Sequence, residues 1–66
     1  MNVWLNGERE NTRGAQTIAE LAQRYGLQPN SILIEYNGVA LHQREWAKKK
    51  LTEADRVEFI RVVAGG

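Results

Sequence analysis

The sequence has 66 residues, and its nine lysines and arginines nearly balance its eight aspartates and glutamates to give a net charge of +1. That length fits one small domain, and the charge lacks the basic excess typical of nucleic-acid binding. No apolar stretch reaches the ~20 residues that span a bilayer, and the N-terminus lacks a signal peptide's features, so we expect a cytoplasmic protein.

The first predicted element is a β-hairpin. Val3 and Leu5 alternate with Trp4, which places Trp4 on the opposite face of a strand. Asn6-Gly7 accepts the positive φ angles of a type I′ turn. The return strand over residues 8–12 is nearly all polar, as suits an edge strand.

A helix is predicted next. Thr17 and Glu20 have the spacing of a capping box, in which the threonine hydroxyl accepts a hydrogen bond from the third helical N–H and the glutamate reaches back. Gly26 stands where a left-handed residue would end the helix. Apolar residues recur between them at i, i+3, i+4 and i+7, which defines one helix face: Ile18, Leu21, Ala22 and Tyr25.

The second half of the sequence predicts another hairpin and a final strand. Pro29-Asn30-Ser31 breaks the chain before this hairpin, and Asn37-Gly38 forms its turn. One helical turn over residues 44–47 and a polar turn over residues 52–55 lead to the last strand. The predicted strands cover residues 32–36, 39–41 and 56–63.

This order of elements predicts an α+β fold, the β-grasp of ubiquitin-like proteins, with a mixed sheet of four to five strands and one main helix packed on one face. The first and last strands would lie side by side at the centre and run parallel. We expect a single domain over residues 1–66, globular over 1–63 with a flexible tail over 64–66. The side chains expected on the core side of the later strands are Ile32, Ile34, Tyr36, Val57 and Phe59, with Trp46 as a lid over the core.

The residues that most catalytic classes need are scarce. The sequence has no cysteine, and His42 and Ser31 are its only histidine and serine. Thiolate nucleophiles, disulfides and Cys-based metal sites are therefore excluded, and one histidine cannot form a metal site alone. A fold this small also buries only about 60% of its unfolded surface, which leaves little room for an internal cavity. We expect chemistry at a surface or a terminus, and a protein that is not an enzyme.

The most informative feature is the ending Ala64-Gly65-Gly66, directly after the last predicted strand. Alone, two glycines at a chain end are also typical of a loose tail. After a strand in a ubiquitin-like order, they indicate a carrier or modifier that works through its C-terminal carboxylate. Lacking Cβ atoms, both glycines can thread a narrow channel and adopt conformations barred to other residues.

Motifs along the whole chain carry a family resemblance. They are Asn6, Thr17 to Leu21, Tyr36-Asn37-Gly38, Arg44-Glu45-Trp46-Ala47, Leu51, Asp55-Arg56-Val57-Glu58 and Ala64-Gly65-Gly66. With them the sequence resembles the ThiS family, the sulfur carriers of thiamine biosynthesis, from Met1 to Gly66. The family usually has glycine where this sequence has Ala54. Three alternatives stay open: a sulfur carrier for molybdopterin or another pathway, a ubiquitin-like protein modifier, and an interaction module with a glycine tail.

The resemblance implies that Gly66, preceded by Gly65, is the sulfur-carrying terminus. An E1-like adenylyltransferase would activate the Gly66 carboxylate with ATP and magnesium. Sulfur that derives from a cysteine desulfurase, supplied through a persulfide, would displace AMP and leave a thiocarboxylate. Thiazole synthase would receive that sulfur, and the chain itself would bind no cofactor or metal.

Strand alternation also predicts where such partners dock. If Val57 and Phe59 face the core, Ile60 and Val62 face the opposite way, as Trp4 does on the first strand. We expect Trp4, Ile60 and Val62, continued by Ala64, to form one apolar patch on the helix-free face that binds a partner. Ordinary surface apolarity, or a patch covered by the chain's own loop, is the alternative.

Overall fold

The computed structural model describes residues 1–62, which form a five-stranded sheet and one α-helix. The strands and helix lie close to the predicted positions: β1 Asn2–Leu5, β2 Glu8–Asn11, α1 Ile18–Arg24, β3 Ile32–Tyr36, β4 Val39–Leu41 and β5 Arg56–Arg61. Two short 3₁₀ turns, Pro29–Ser31 and Gln43–Glu45, flank the second hairpin. Across residues 1–62, no helix is long and apolar enough to cross a bilayer.

The sheet has the strand order β2-β1-β5-β3-β4. β1 runs parallel to β5, and the other neighbouring pairs are antiparallel. The last strand therefore occupies the centre of the sheet, which confirms the predicted β-grasp topology. β5 ends at Arg61 rather than Val63, although the Val62 N–H still donates to the Ser31 carbonyl at 2.9 Å.

The helix begins as its capping residues predict. Thr17 Oγ1 accepts a hydrogen bond from the Glu20 N–H at 3.2 Å, and the Glu20 carboxylate reaches back to the Gln16 N–H at 2.6 Å. Tyr25 departs from its predicted place on the buried face, because it caps the C-terminal end of α1 and is 43% exposed. Its ring meets Phe59 edge-on, with 6.0 Å between the ring centroids.

The core lies between α1 and one face of the sheet. Trp46 is 4% exposed and belongs to this core, as predicted for a lid residue. Tyr36 and Phe59 are partly buried and pack against its edge. The largest side chains that are almost completely buried are Ile18, Leu21, Ile34, Val3 and Val57.

Two Asn-Gly turns lie on either side of β5. Asn6 and Asn37 both have φ of 50°, and the glycine after each has φ of 84°, as a type I′ turn requires. The Asn6 side-chain oxygen accepts from the Phe59 N–H, and the Asn37 side-chain oxygen accepts from the Arg56 N–H, each at 2.8 Å. Each turn therefore fixes a neighbouring hairpin to the central strand.

Candidate functional site

The central strand β5 presents two different faces. On the helix side, Val57 is fully buried and Phe59 is partly buried. On the open side, Glu58 is exposed, Ile60 is 39% exposed and Val62 is 44% exposed. The predicted face assignment of this strand is confirmed. The predicted tail residues Ala64, Gly65 and Gly66 lie outside the described residues, so their roles stay predictions.

Leu33 adds an apolar side chain that the sequence did not single out. It is 54% exposed and lies directly across from Ile60 in the β3–β5 pairing. Directly opposed residues of antiparallel strands share a face. Leu33, Ile60 and Val62 therefore lie together on the open side of the sheet, and we call these three residues the exit patch. The signal that could have revealed Leu33 is its middle position in Ile32-Leu33-Ile34, where alternation turns it away from the core.

Trp4 lies on the same open face but away from the exit patch. It is 42% exposed and pairs with Arg56, four residues before Ile60 along β5. Four residues of strand span roughly 13 Å. The expectation that Trp4, Ile60 and Val62 form one continuous patch is therefore wrong in its geometry. Trp4 instead lines a separate shallow depression with Gly7 and Arg56. A partner contact at Trp4 stays a prediction.

The open face changes in chemical character along β5. Next to the Leu33–Ile60 pair, on the same face, Glu35 and Glu58 lie directly across from each other. Arg56 follows two residues before Glu58, beside Trp4. The face therefore presents apolar, acidic and then basic and aromatic side chains, in order from the end of β5 to its start.

The start of β5 is held by a buried carboxylate. Asp55 is 7% exposed and accepts hydrogen bonds from the Thr52 N–H and the Thr52 hydroxyl, both at 2.7 Å. The Tyr36 hydroxyl donates to it at 2.5 Å, and the Asn37 amide donates at 3.2 Å. Ala54, just before it, has φ of +69°.

These contacts change the proton affinities of both acidic partners. Burial alone raises the pKa of Asp55, but the hydrogen bonds from Tyr36, Thr52 and Asn37 outweigh it and hold that pKa below its ordinary value. Burial, followed by the hydrogen bond to Asp55, raises the pKa of the Tyr36 hydroxyl. Asp55 is therefore a charged acceptor that organises the turn. It is not poised to exchange protons near neutral pH.

The described residues do not form a metal centre. Within residues 1–62, no group of three histidine, cysteine or acidic side chains could hold a metal ion. His42 lies at the start of the second 3₁₀ turn, where its backbone N–H donates to the Glu45 carboxylate at 2.9 Å. Lys48 and Lys50 are exposed, while the Lys49 ammonium lies 5.3 Å from the centre of the Tyr36 ring. The described surface instead has exposed apolar side chains beside the end of β5.

A mixed β-grasp sheet with the last strand at its centre and one helix packed on one face defines the class of ubiquitin-like proteins. The chain belongs to the ThiS family, whose family model matches residues 3–66. The crystal structure of the thiamine biosynthesis protein ThiS from Geobacter metallireducens is 28% identical, has a TM-score of 0.83, and the match covers all of both chains.

A second solved structure of the same Geobacter metallireducens protein and one further relative are also similar to this chain. The NMR structure of a thiamine biosynthesis protein from Geobacter metallireducens is 28% identical, with a TM-score of 0.79, over 100% of this chain and 88% of the other. The uncharacterized protein ycf40 of Trieres chinensis is 22% identical over 63 residues, which is 96% of this chain and 86% of that protein.

Proposed function

We propose that this protein is a sulfur carrier for thiazole formation in thiamine biosynthesis, and that it carries sulfur on the C-terminal carboxylate of Gly66. The observation that carries the proposal is the central position of β5, the last strand, in a ThiS-family chain whose sequence ends in Ala64-Gly65-Gly66. The similar Geobacter metallireducens protein, which is named a thiamine biosynthesis protein, supports the choice of pathway.

A carboxylate must be activated before sulfur can replace one of its oxygens. An E1-like adenylyltransferase would bind ATP and magnesium, and a Gly66 carboxylate oxygen would attack the α-phosphate and release pyrophosphate. Persulfide sulfur from a desulfurase would then displace AMP from the acyl adenylate. A thiol reductant would then cleave the sulfur–sulfur bond of the acyl disulfide, releasing the donor's thiol and becoming oxidised to a disulfide, and the thiocarboxylate that remains would be used by thiazole synthase. The absence of cysteine from the sequence supports a carrier whose sulfur resides on the backbone terminus.

The exit patch supplies binding free energy that the tail cannot. Ordering residues 63–66 in a partner's channel costs about 4–8 kcal/mol of backbone entropy. Burying roughly 300 Å² of apolar surface at ~25 cal/mol/Å² contributes about 7 kcal/mol, which is comparable. Leu33, Ile60 and Val62 are exposed beside the end of β5, where a partner that receives the tail could cover them.

Deletion of Gly66 tests the proposal. The full chain, incubated with an E1-like enzyme, ATP, magnesium and a persulfide donor, should gain the mass of one oxygen-for-sulfur exchange on its C-terminal fragment. The truncated chain should gain none, while its circular dichroism spectrum is unchanged, because the described core is formed by residues between Val3 and Phe59. Normal loading of the truncated chain would contradict the proposal.

The location of the modification separates the alternatives. Transfer of the new sulfur to thiazole synthase supports the thiamine pathway, whereas a loaded chain that this enzyme cannot use indicates another sulfur pathway. Attachment of Gly66 to a lysine of another protein would instead indicate a protein modifier.

A further inference from the structure

Among residues 1–62, the main-chain hydrogen bond nearest the C-terminus lies beyond the end of β5. The Val62 N–H donates to the Ser31 carbonyl at 2.9 Å, although β5 itself ends at Arg61, which pairs with Ile32. Four residues follow Val62 in the sequence. This bond therefore fixes the main chain to the sheet at the point from which the C-terminal segment, residues 63–66, continues.

The acceptor of this bond is held by a turn of its own. Ser31 ends the 3₁₀ turn Pro29–Ser31, where its N–H and its hydroxyl both donate to the Gln28 carbonyl, at 3.0 and 3.1 Å. Because proline fixes its own φ, Pro29 limits the conformations of this turn. The position of the Ser31 carbonyl therefore depends on the turn as well as on the pairing of β3 with β5.

The same bond lies beside the exit patch. Ser31 directly precedes Ile32 and is two residues from Leu33, while Val62 is both a member of the exit patch and the donor to Ser31. A partner that covers the exit patch therefore meets the C-terminal segment at a fixed starting point. Four extended residues span at most about 14 Å, which limits how far from the patch Gly66 can reach.

We infer that the hydrogen bond from Val62 to Ser31 is a positioning contact of the loading reaction, because it sets the reach of Gly66 into the active site of the adenylating enzyme. The Ser31 hydroxyl is the side-chain group that keeps the acceptor in place. The inference rests on the proposed function and adds the residues that determine this reach. Without the bond, the carboxylate would sample a larger volume, which lowers the fraction of complexes in which it is aligned with the α-phosphate.

Variants at both ends of the bond test the inference. Val62→Pro removes the N–H donor but keeps an apolar ring in the exit patch. For adenylate formation, kcat should fall about tenfold, while KM for the carrier changes less than about threefold. Ser31→Ala, which removes only the hydroxyl, should lower kcat by a smaller factor, and Ser31→Thr should restore it. ATP–pyrophosphate exchange, run below the melting temperature of every variant, measures both constants.

A change in the length of the C-terminal segment separates a positioning contact from a purely structural one. Deletion of Ala64 shortens the reach by one residue and should lower kcat at least about 100-fold. Val62→Pro releases one residue, so adding it to this deletion should raise kcat at least about threefold, although it lowers kcat in the full-length chain. A structural role alone predicts no gain from Val62→Pro in either chain.

Unchanged kcat in Val62→Pro, or no gain when it is added to the deletion of Ala64, would overturn the inference. A higher KM with unchanged kcat would also overturn it, because Val62 would then act in binding alone. If Val62→Pro does not fold, equal kcat in Ser31→Ala and Ser31→Thr would have the same consequence. When the full chain is loaded at Gly66, these results refute only the positioning contact. A full chain that is never loaded refutes the proposed function as well.

Discussion

The two ends of β5 differ in how their side chains are satisfied. Just before its start, the buried Asp55 accepts four hydrogen bonds from within the chain. At its end, the apolar side chains of Leu33, Ile60 and Val62 are exposed to solvent. The first end has its polar groups satisfied within the chain. The end of β5 leaves apolar side chains exposed to solvent, although β5 is the central strand of the sheet. This difference indicates that folding free energy is concentrated where the strand begins, and that binding contacts are available where it ends.

The largest expected effect is at the start of β5. Asp55→Ala removes a buried acceptor and leaves the donors of Thr52, Tyr36 and Asn37 without it, so unfolding free energy should fall by about 2–4 kcal/mol in chemical denaturation. Loading at Gly66, measured below the variant's melting temperature, should stay normal. Impaired loading of a fully folded variant would contradict the conclusion that the start of β5 serves stability and only its end serves binding.

Asp55 should also make the unfolding free energy of the protein depend on pH in a definite direction. Because the folded-state pKa of Asp55 is lowered, its contribution to stability is present above the unfolded value of about 4 and is lost as the pH falls through the folded value. Denaturation of the wild type should show this loss on acidification, and Asp55→Asn should lack that portion of it. An unaltered acid profile in Asp55→Asn would contradict the assignment.

The next effect is at the other end and concerns binding. Ile60→Glu places a charge in the exit patch and should weaken binding to the E1-like enzyme or to thiazole synthase more than tenfold, about 1.4 kcal/mol. Its melting curve should change little, since this side chain already borders solvent. Val39→Glu is the matched control, because Val39 is 62% exposed on the edge strand β4. A collapsed melting temperature for Ile60→Glu would show that Ile60 belongs to the core.

The smallest effect is again at the start of β5. Ala54 has φ of +69°, a left-handed conformation that costs an alanine roughly 1 kcal/mol. Ala54→Gly should therefore raise the unfolding free energy by up to about 1 kcal/mol, which denaturant titration can measure. The gain is limited by the greater freedom of glycine in the unfolded chain. A loss of stability would show that the turn is not strained at this residue.

Local signals predicted the elements well. Both Asn-Gly turns, the Thr17 cap and the alternation of Val57 with Glu58 are decided within a few residues, and the structure confirms them. The prediction of one continuous patch failed because it depended on the register between strands that are distant in sequence. Nothing local indicates that Trp4 pairs with Arg56 instead of a residue nearer Ile60, or that Glu35 meets Glu58. Tyr25 kept the helical spacing but is the C-cap residue just after α1, where the core ends.

The two Asn-Gly turns also make the protein vulnerable to chemical ageing. In such sequences the glycine nitrogen can attack the asparagine side chain, and the deamidation that follows turns an amide into a carboxylate. Asn6 uses its side chain as an acceptor toward the Phe59 N–H, a role that a carboxylate can keep. Asn37 also donates to Asp55 at 3.2 Å, so its deamidation would replace that donor with a second negative charge facing the buried carboxylate. Deamidation at Asn37 should therefore destabilise the fold more than deamidation at Asn6.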